Sequence, residues 1–180
     1  VIEFKVPIVR RLEELVGSPQ TAGAVVGPVA AAGWGLFAVG SWLAGVTSAR
    51  IGAARAAIIG RTLNALGAIV MGLVAGPVAP VAAYLFTYSM HGMNGPPHAA
   101  LLHREAEAAN RSTVLSINSM MAYLAFAVAA PLVGTLADRA SISTAMVTAG
   151  AISLLGVACY VPARRPERGR ASLETSAVAH

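Results

Sequence analysis

Residues 113–137 read TVLSINSMMAYLAFAVAAPLVGTLA, and this stretch decides what kind of protein the chain is. Apart from the phenol of Tyr123, it carries no ionisable side chain. At ~1.5 Å per residue a helix of this length covers the ~30 Å hydrocarbon core of a bilayer. Arg111 stands just before it and Asp138 and Arg139 just after, so charges bracket the apolar run. One side is not apolar. Ser112, Ser116, Ser119 and Tyr123 recur at i, i+4, i+7 and i+11, which sets them on one helical face. In lipid, such a face is expected to turn toward other helices or a watery cavity.

The rest of the chain agrees with a membrane setting. Of 180 residues, 56% are hydrophobic and 12% charged, and the mean hydropathy is +0.67. Soluble domains carry about 25% charge, so this chain can hardly build a water-facing surface. A net charge of +5 raises the question of nucleic acid. The arginines, however, sit between apolar runs and are not interleaved with aromatics, which excludes a nucleic-acid reading. Cys159 stands alone and forms no internal disulfide.

In chain order, residues 1–20 mix apolar and charged positions, with Pro7 and Pro19 as interruptions. Ile8, Leu12, Leu15 and Val16 give a short amphipathic pattern, read as an interfacial segment or the end of a truncated helix. A first span is expected near 21–46, with Gly23, Gly27, Ala31 and Gly35 repeating every four residues as a close-approach face. Trp42, near its end, reads as an interfacial anchor. Residues 47–55 read as a polar connection. A second span is expected near 56–75, with Gly60, Asn64, Ala68 and Gly72 in a ladder of their own and Asn64 as an interhelical tie. The third, near 81–101, carries Tyr84, Tyr88 and His91 on one face, with Asn94 close by. Gly95-Pro96-Pro97 is expected to break or kink it. The fourth is the opening stretch, and the fifth lies near 144–161. Residues 163–180 read as a disordered cytoplasmic tail. The fold class is therefore all-α: a polytopic transmembrane bundle of about five spans.

Arginine placement orients the bundle. With the tail cytoplasmic, that side holds Arg50, Arg55, Arg61, Arg104, Arg111, Arg164, Arg165, Arg168 and Arg170, and the other holds Lys5, Arg10, Arg11 and Arg139. Nine against four satisfies the positive-inside rule.

Three motifs carry a family resemblance. Gly45-Val-Thr-Ser-Ala49-Arg50-Ile-Gly52-Ala-Ala-Arg55 looks like a worn copy of the loop motif G-x-x-x-D-R-x-G-R-R, with Ala49 where the acidic residue would stand. Asn110-Arg111-Ser-Thr-Val-Leu-Ser116-Ile-Asn118-Ser119 looks like the start of an eleventh helix, and Pro131-Leu-Val-Gly134-Thr-Leu-Ala-Asp138-Arg139 like its outer end. Together they resemble the C-terminal half of a major facilitator superfamily transporter, helices eight to twelve. The resemblance implies a fragment of a secondary carrier in the plasma membrane, whose missing N-terminal half supplies the other cavity wall. It implies a small-molecule substrate moved by alternating access, efflux as the direction, and protons as a coupling ion. A rival reading from another class is a small non-transporting helical membrane protein that assembles through its small-residue faces.

Candidate site residues follow from polarity at membrane depth. Tyr84, Tyr88, His91 and Asn94 on the third span, and Asn118, Ser119 and Tyr123 on the fourth, are expected on the substrate path or in interhelical hydrogen bonds. His91 is the residue considered for proton coupling. Gly45, Arg50, Gly52 and Arg55 are the loop-motif positions, and Arg104 and Arg111 the candidate cytoplasmic gate. His98 and His103 lie five residues apart without Cys or a well-placed carboxylate, and no metal is assigned to them. No cofactor cradle, nucleophile elbow or metalloprotease motif appears, so no enzyme is expected.

Overall fold

Small residues decide where these helices touch. The computed structural model describes residues 19–76 and 78–164. In chain order they form α1 (Pro19–Ile51), α2 (Ala53–Leu73), α3 (Val78–Gly92), α4 (Gly95–Glu105), α5 (Arg111–Arg139), α6 (Ile142–Leu155) and a closing 3₁₀ turn, Gly156–Tyr160. Four stretches are long and apolar enough to cross a membrane: Gly27–Ile51 of α1, α2, α5, and Ile142–Tyr160. Together they make an all-α polytopic membrane bundle. The interfacial segment expected ahead of Pro19 and the tail beyond Arg164 lie outside the described residues.

At the centre stands α2, which packs against α1, α3, α4, α6 and the 3₁₀ turn. Its buried face is alanine and glycine, with only Asn64 and Met71 larger. Gly72 meets Ser143, Met146 and Val147 of α6, and Gly150 of α6 meets Ala65 and Ile69 in return. Lipid tails are as apolar as leucine, so burial from water does not hold these helices together. Close backbone approach and van der Waals contact do. One cluster of larger side chains, Met71, Tyr84, Tyr88, Ile142 and Met146, is drawn from α2, α3 and α6, with Val29 and Phe37 of α1 against it.

On α1, the face that makes contact is not the expected one. Gly27 and Gly35 have nothing within 4 Å of an added methyl, and Ala31 is exposed. The buried row is Gly33, Gly40 and Ala44, with Phe37 half-buried between them. The reason is the crossing with α3. A methyl on Gly40 would run into the Ser89 carbonyl, and one on Gly92 into the Phe37 carbonyl. Ser41 Oγ lies 3.1 Å from the carbonyl oxygens of both Phe37 and Gly92. Trp42, on the outside of α1, is exposed.

The polar connection expected over 47–55 is also different. No residue from Thr47 to Ile51 breaks a helix, and Ala and Arg favour one, so α1 runs on to Ile51 and α2 starts at Ala53. Gly52 alone separates them, with φ 91° and ψ 152°. That is backbone which glycine adopts without steric cost.

Two helices replace the expected third span: α3 of 15 residues and α4 of 11. At ~22 Å and ~16 Å, neither reaches across a ~30 Å core alone. The break at Met93 and Asn94 precedes Pro96 and Pro97, which offer no N–H to continue the α3 ladder.

Last, α5 sits at the edge. It touches α6 and, lightly, α4, and none of its residues is buried. The hydroxyl row Ser112, Ser116, Ser119 and Tyr123 is exposed along its length. The next helix is properly started: Ser141 Oγ accepts from Thr144 N–H at 3.0 Å and caps α6.

Candidate functional site

The α1–α3 crossing brings aromatic rings together. Tyr84 and Tyr88 lie one turn apart on α3, with centroids 5.3 Å apart. From α1, Trp34 meets Tyr88 edge-on at 5.6 Å and 83°, and Phe37 lies 6.0 Å from Tyr88 and 5.9 Å from His91. His91 completes the group, 6.3 Å from Tyr88. Gly33 makes room for the stack, since its Cα faces both tyrosine rings. Tyr84 and Tyr88 are buried, whereas Trp34 is 49% exposed and forms the outer edge of the cluster. The Tyr88 hydroxyl is buried with no hydrogen-bond partner among the described residues. At membrane depth an unpaired hydroxyl is costly. Trp34 and Phe37 were not among the residues expected here. They reach the α3 residues only through the helix crossing, so no local spacing signals them.

Behind the rings lies a polar tie. Asn64 Nδ2 donates to the Thr87 carbonyl at 2.9 Å, and Asn94 Nδ2 donates to Asn64 Oδ1 at 3.4 Å. The Thr87 hydroxyl donates back to Ala83 O at 2.6 Å. Asn64 thus joins α2 to α3 and to the break that follows it. Asn64→Leu is expected to lower stability by about 1–2 kcal/mol, the upper range for interhelical hydrogen bonds in membranes, read as thermal unfolding in detergent.

The remaining candidates lie elsewhere. Asn118 is half-buried against α4, while Ser119 donates to its own helix at Leu115 O (3.0 Å) and Tyr123 is 76% exposed. These three are not brought to the ring cluster. Gly45 is exposed with open space beside it. Arg50 and Arg55 are exposed on either side of the Gly52 joint. Arg104 pairs with Glu105 at 2.8 Å and reaches the Ala163 carbonyl at 3.5 Å, whereas Arg111 is exposed at the first position of α5.

A second polar group joins three elements. Tyr160 Oη lies 3.0 Å from His98 Nδ1, and His98 Nε2 lies 3.0 Å from Asn118 Oδ1. The rings of His98 and Tyr160 meet edge-on at 6.0 Å and 83°. Tyr160 and His98 are 62 residues apart, and no local spacing points to their contact.

Apolar helices of spanning length, small-residue crossings and polar groups at membrane depth define a multi-pass helical membrane protein. The family model of the Major Facilitator Superfamily matches residues 7–179, and the chain belongs to that family, whose members are membrane transporters. No curated protein and no solved structure matches it.

Proposed function

We propose that this chain supplies part of the solute pathway of a proton-coupled carrier that exports a small organic compound by alternating access. The observation that carries the reading is the Tyr88 hydroxyl, buried within an aromatic cluster and without a hydrogen-bond partner among the described residues. A passing solute with a hydrogen-bond acceptor supplies what that hydroxyl lacks, and the rings of Trp34, Tyr84 and Tyr88 supply apolar contact. His91 and Asn94 border the same region. The break between α3 and α4 supports the reading, because irregular backbone at membrane depth is tolerated where it is buried in protein or lines a cavity.

The other cavity wall belongs to a second six-helix half. What supports this is α5, whose hydroxyl row is exposed along its length and is ill suited to lipid. With the arginine-rich end facing the cytoplasm, the C-terminus is cytoplasmic and the protein sits in the cell membrane. The test is flux of small aromatic dyes in proteoliposomes under an imposed proton gradient. Residues 1–180 alone should give none. The same chain joined to the other half should give flux that Trp34→Ala cuts by about tenfold, the scale of one lost aromatic contact. Robust flux from residues 1–180 alone, or full flux in the Trp34→Ala carrier, would sink the proposal.

A further inference from the structure

His98 is the one histidine among the described residues with both ring nitrogens in side-chain hydrogen bonds, to groups from two other elements. We infer that His98 is a proton-binding site, with Tyr160 and Asn118 built around it to hold the ring in both charge states. The inference rests on the proton-coupled reading above and names the residue that carries the proton.

The chemistry follows from the acceptor at one end. Asn118 Oδ1 can only accept, so His98 Nε2 carries a hydrogen. In the neutral ring Nδ1 is then a lone pair, and the Tyr160 hydroxyl donates to it. On protonation that lone pair takes a proton from water at the arginine-rich end. The Tyr160 hydroxyl rotates to present its oxygen, and Nδ1–H donates to it. No heavy atom moves and no hydrogen bond is lost; both become charge-assisted. Tyr160, a rotor able to donate or accept, is the residue that makes this possible.

His91 has no such arrangement. It lies half-buried between the rings of Phe37 and Tyr88, and no hydrogen bond joins its ring nitrogens to another described residue. A charge there would have no acceptor. Nor do the surrounding ionisable groups offer a substitute. Arg50 of α1, Arg55 and Arg61 of α2, Arg111 of α5 and Arg164 beyond the 3₁₀ turn are cations, and α6 carries no ionisable side chain. On α4 itself, the Glu105 carboxylate is paired with Arg104, and His103 is exposed in the last turn; Glu107, just beyond α4, is exposed, and Asp138 stands at the other end of α5 from Asn118. The 3₁₀ turn adds only Cys159, which is exposed, and Tyr160 itself. His98 lies six residues, ~9 Å along the axis, inside Arg104, so it is set back from the membrane surface.

The test is a pH titration of the whole chain in lipid nanodiscs with ¹⁵N-labelled imidazole rings. Four histidines are present; His98→Gln assigns the signal, and Tyr160→Phe, which keeps the ring, assigns it independently. The expected result is a neutral ring with its proton on Nε2 that takes up a second proton on acidification and gives it back on return to neutral conditions. Tyr160→Phe should change how readily the ring takes up that proton, because the phenyl group can neither donate to Nδ1 nor accept from it. A ring protonated on Nδ1 when neutral, a ring that takes up no second proton on acidification, or a response untouched by Tyr160→Phe would overturn the inference. None of these readings involves solute flux, so the site can fail while the carrier reading stands, and the reverse.

Discussion

Gly92→Ala is expected to abolish the cooperative thermal unfolding of the bundle in detergent, and Gly40→Ala to do the same. At each position the added methyl meets backbone, not a side chain that can swing aside. On Gly92 it would run into the Phe37 carbonyl, with Phe37 C at 2.9 Å and Cα at 3.0 Å behind it. On Gly40 it would run into the Ser89 carbonyl, with Met93 N at 3.3 Å. To admit it, α1 and α3 must move apart along their whole contact. That breaks the Ser41–Gly92 hydrogen bond and opens the ring cluster one turn away. The cost should be about 3 kcal/mol or more, the upper range for overpacking. The control lies on the same helix. Gly27→Ala and Gly35→Ala have open space around them and should be neutral or stabilising by up to about 1 kcal/mol, the helix-propensity gain. If all four variants melt alike, the crossing is misplaced.

Tyr88→Phe should separate stability from activity. Removing a buried hydroxyl that has no partner among the described residues relieves a desolvation penalty of about 1–3 kcal/mol, so the variant is expected to melt higher than the parent. The ring contacts with Trp34, Phe37 and Tyr84 are retained. If the hydroxyl is the solute contact, the same substitution raises the KM for dye export in the joined carrier by about tenfold, the equivalent of one ~1.4 kcal/mol hydrogen bond. Tyr88→Ala removes the ring as well. It should cost about 3–5 kcal/mol, as for other large aromatic truncations, and lose export through misfolding. A Tyr88→Phe variant that melts lower than the parent would mean the hydroxyl has a structural partner.

Fold class was legible because it rests on quantities that add along the chain: few charges, long apolar runs and arginines at their ends. Position 94 was nearly legible too, since Pro96 and Pro97 act on the backbone directly. What sequence could not settle was which small residues meet. Helix α1 carries two rows of them, Gly27-Ala31-Gly35 and Gly33-Gly40-Ala44, and periodicity says nothing about which one α3 crosses. The stretch Thr47 to Ile51 was read as loop because it is polar, although serine, threonine and arginine carry only small helix penalties. Of the site, Tyr84, Tyr88 and His91 could be grouped because they share a face of one helix. Trp34 and Phe37 reach them only through tertiary packing, as Tyr160 reaches His98, and no spacing rule spans such distances.

The joint at Gly52 has a mechanical consequence. A long loop would absorb displacement between the rods it connects, but a single residue has almost no slack, and this one already occupies a left-handed conformation. When α1 slides or tilts, α2 must follow within the same stroke. Because α2 is the hub of the bundle, a push on either rod is delivered to every other rod that leans on it.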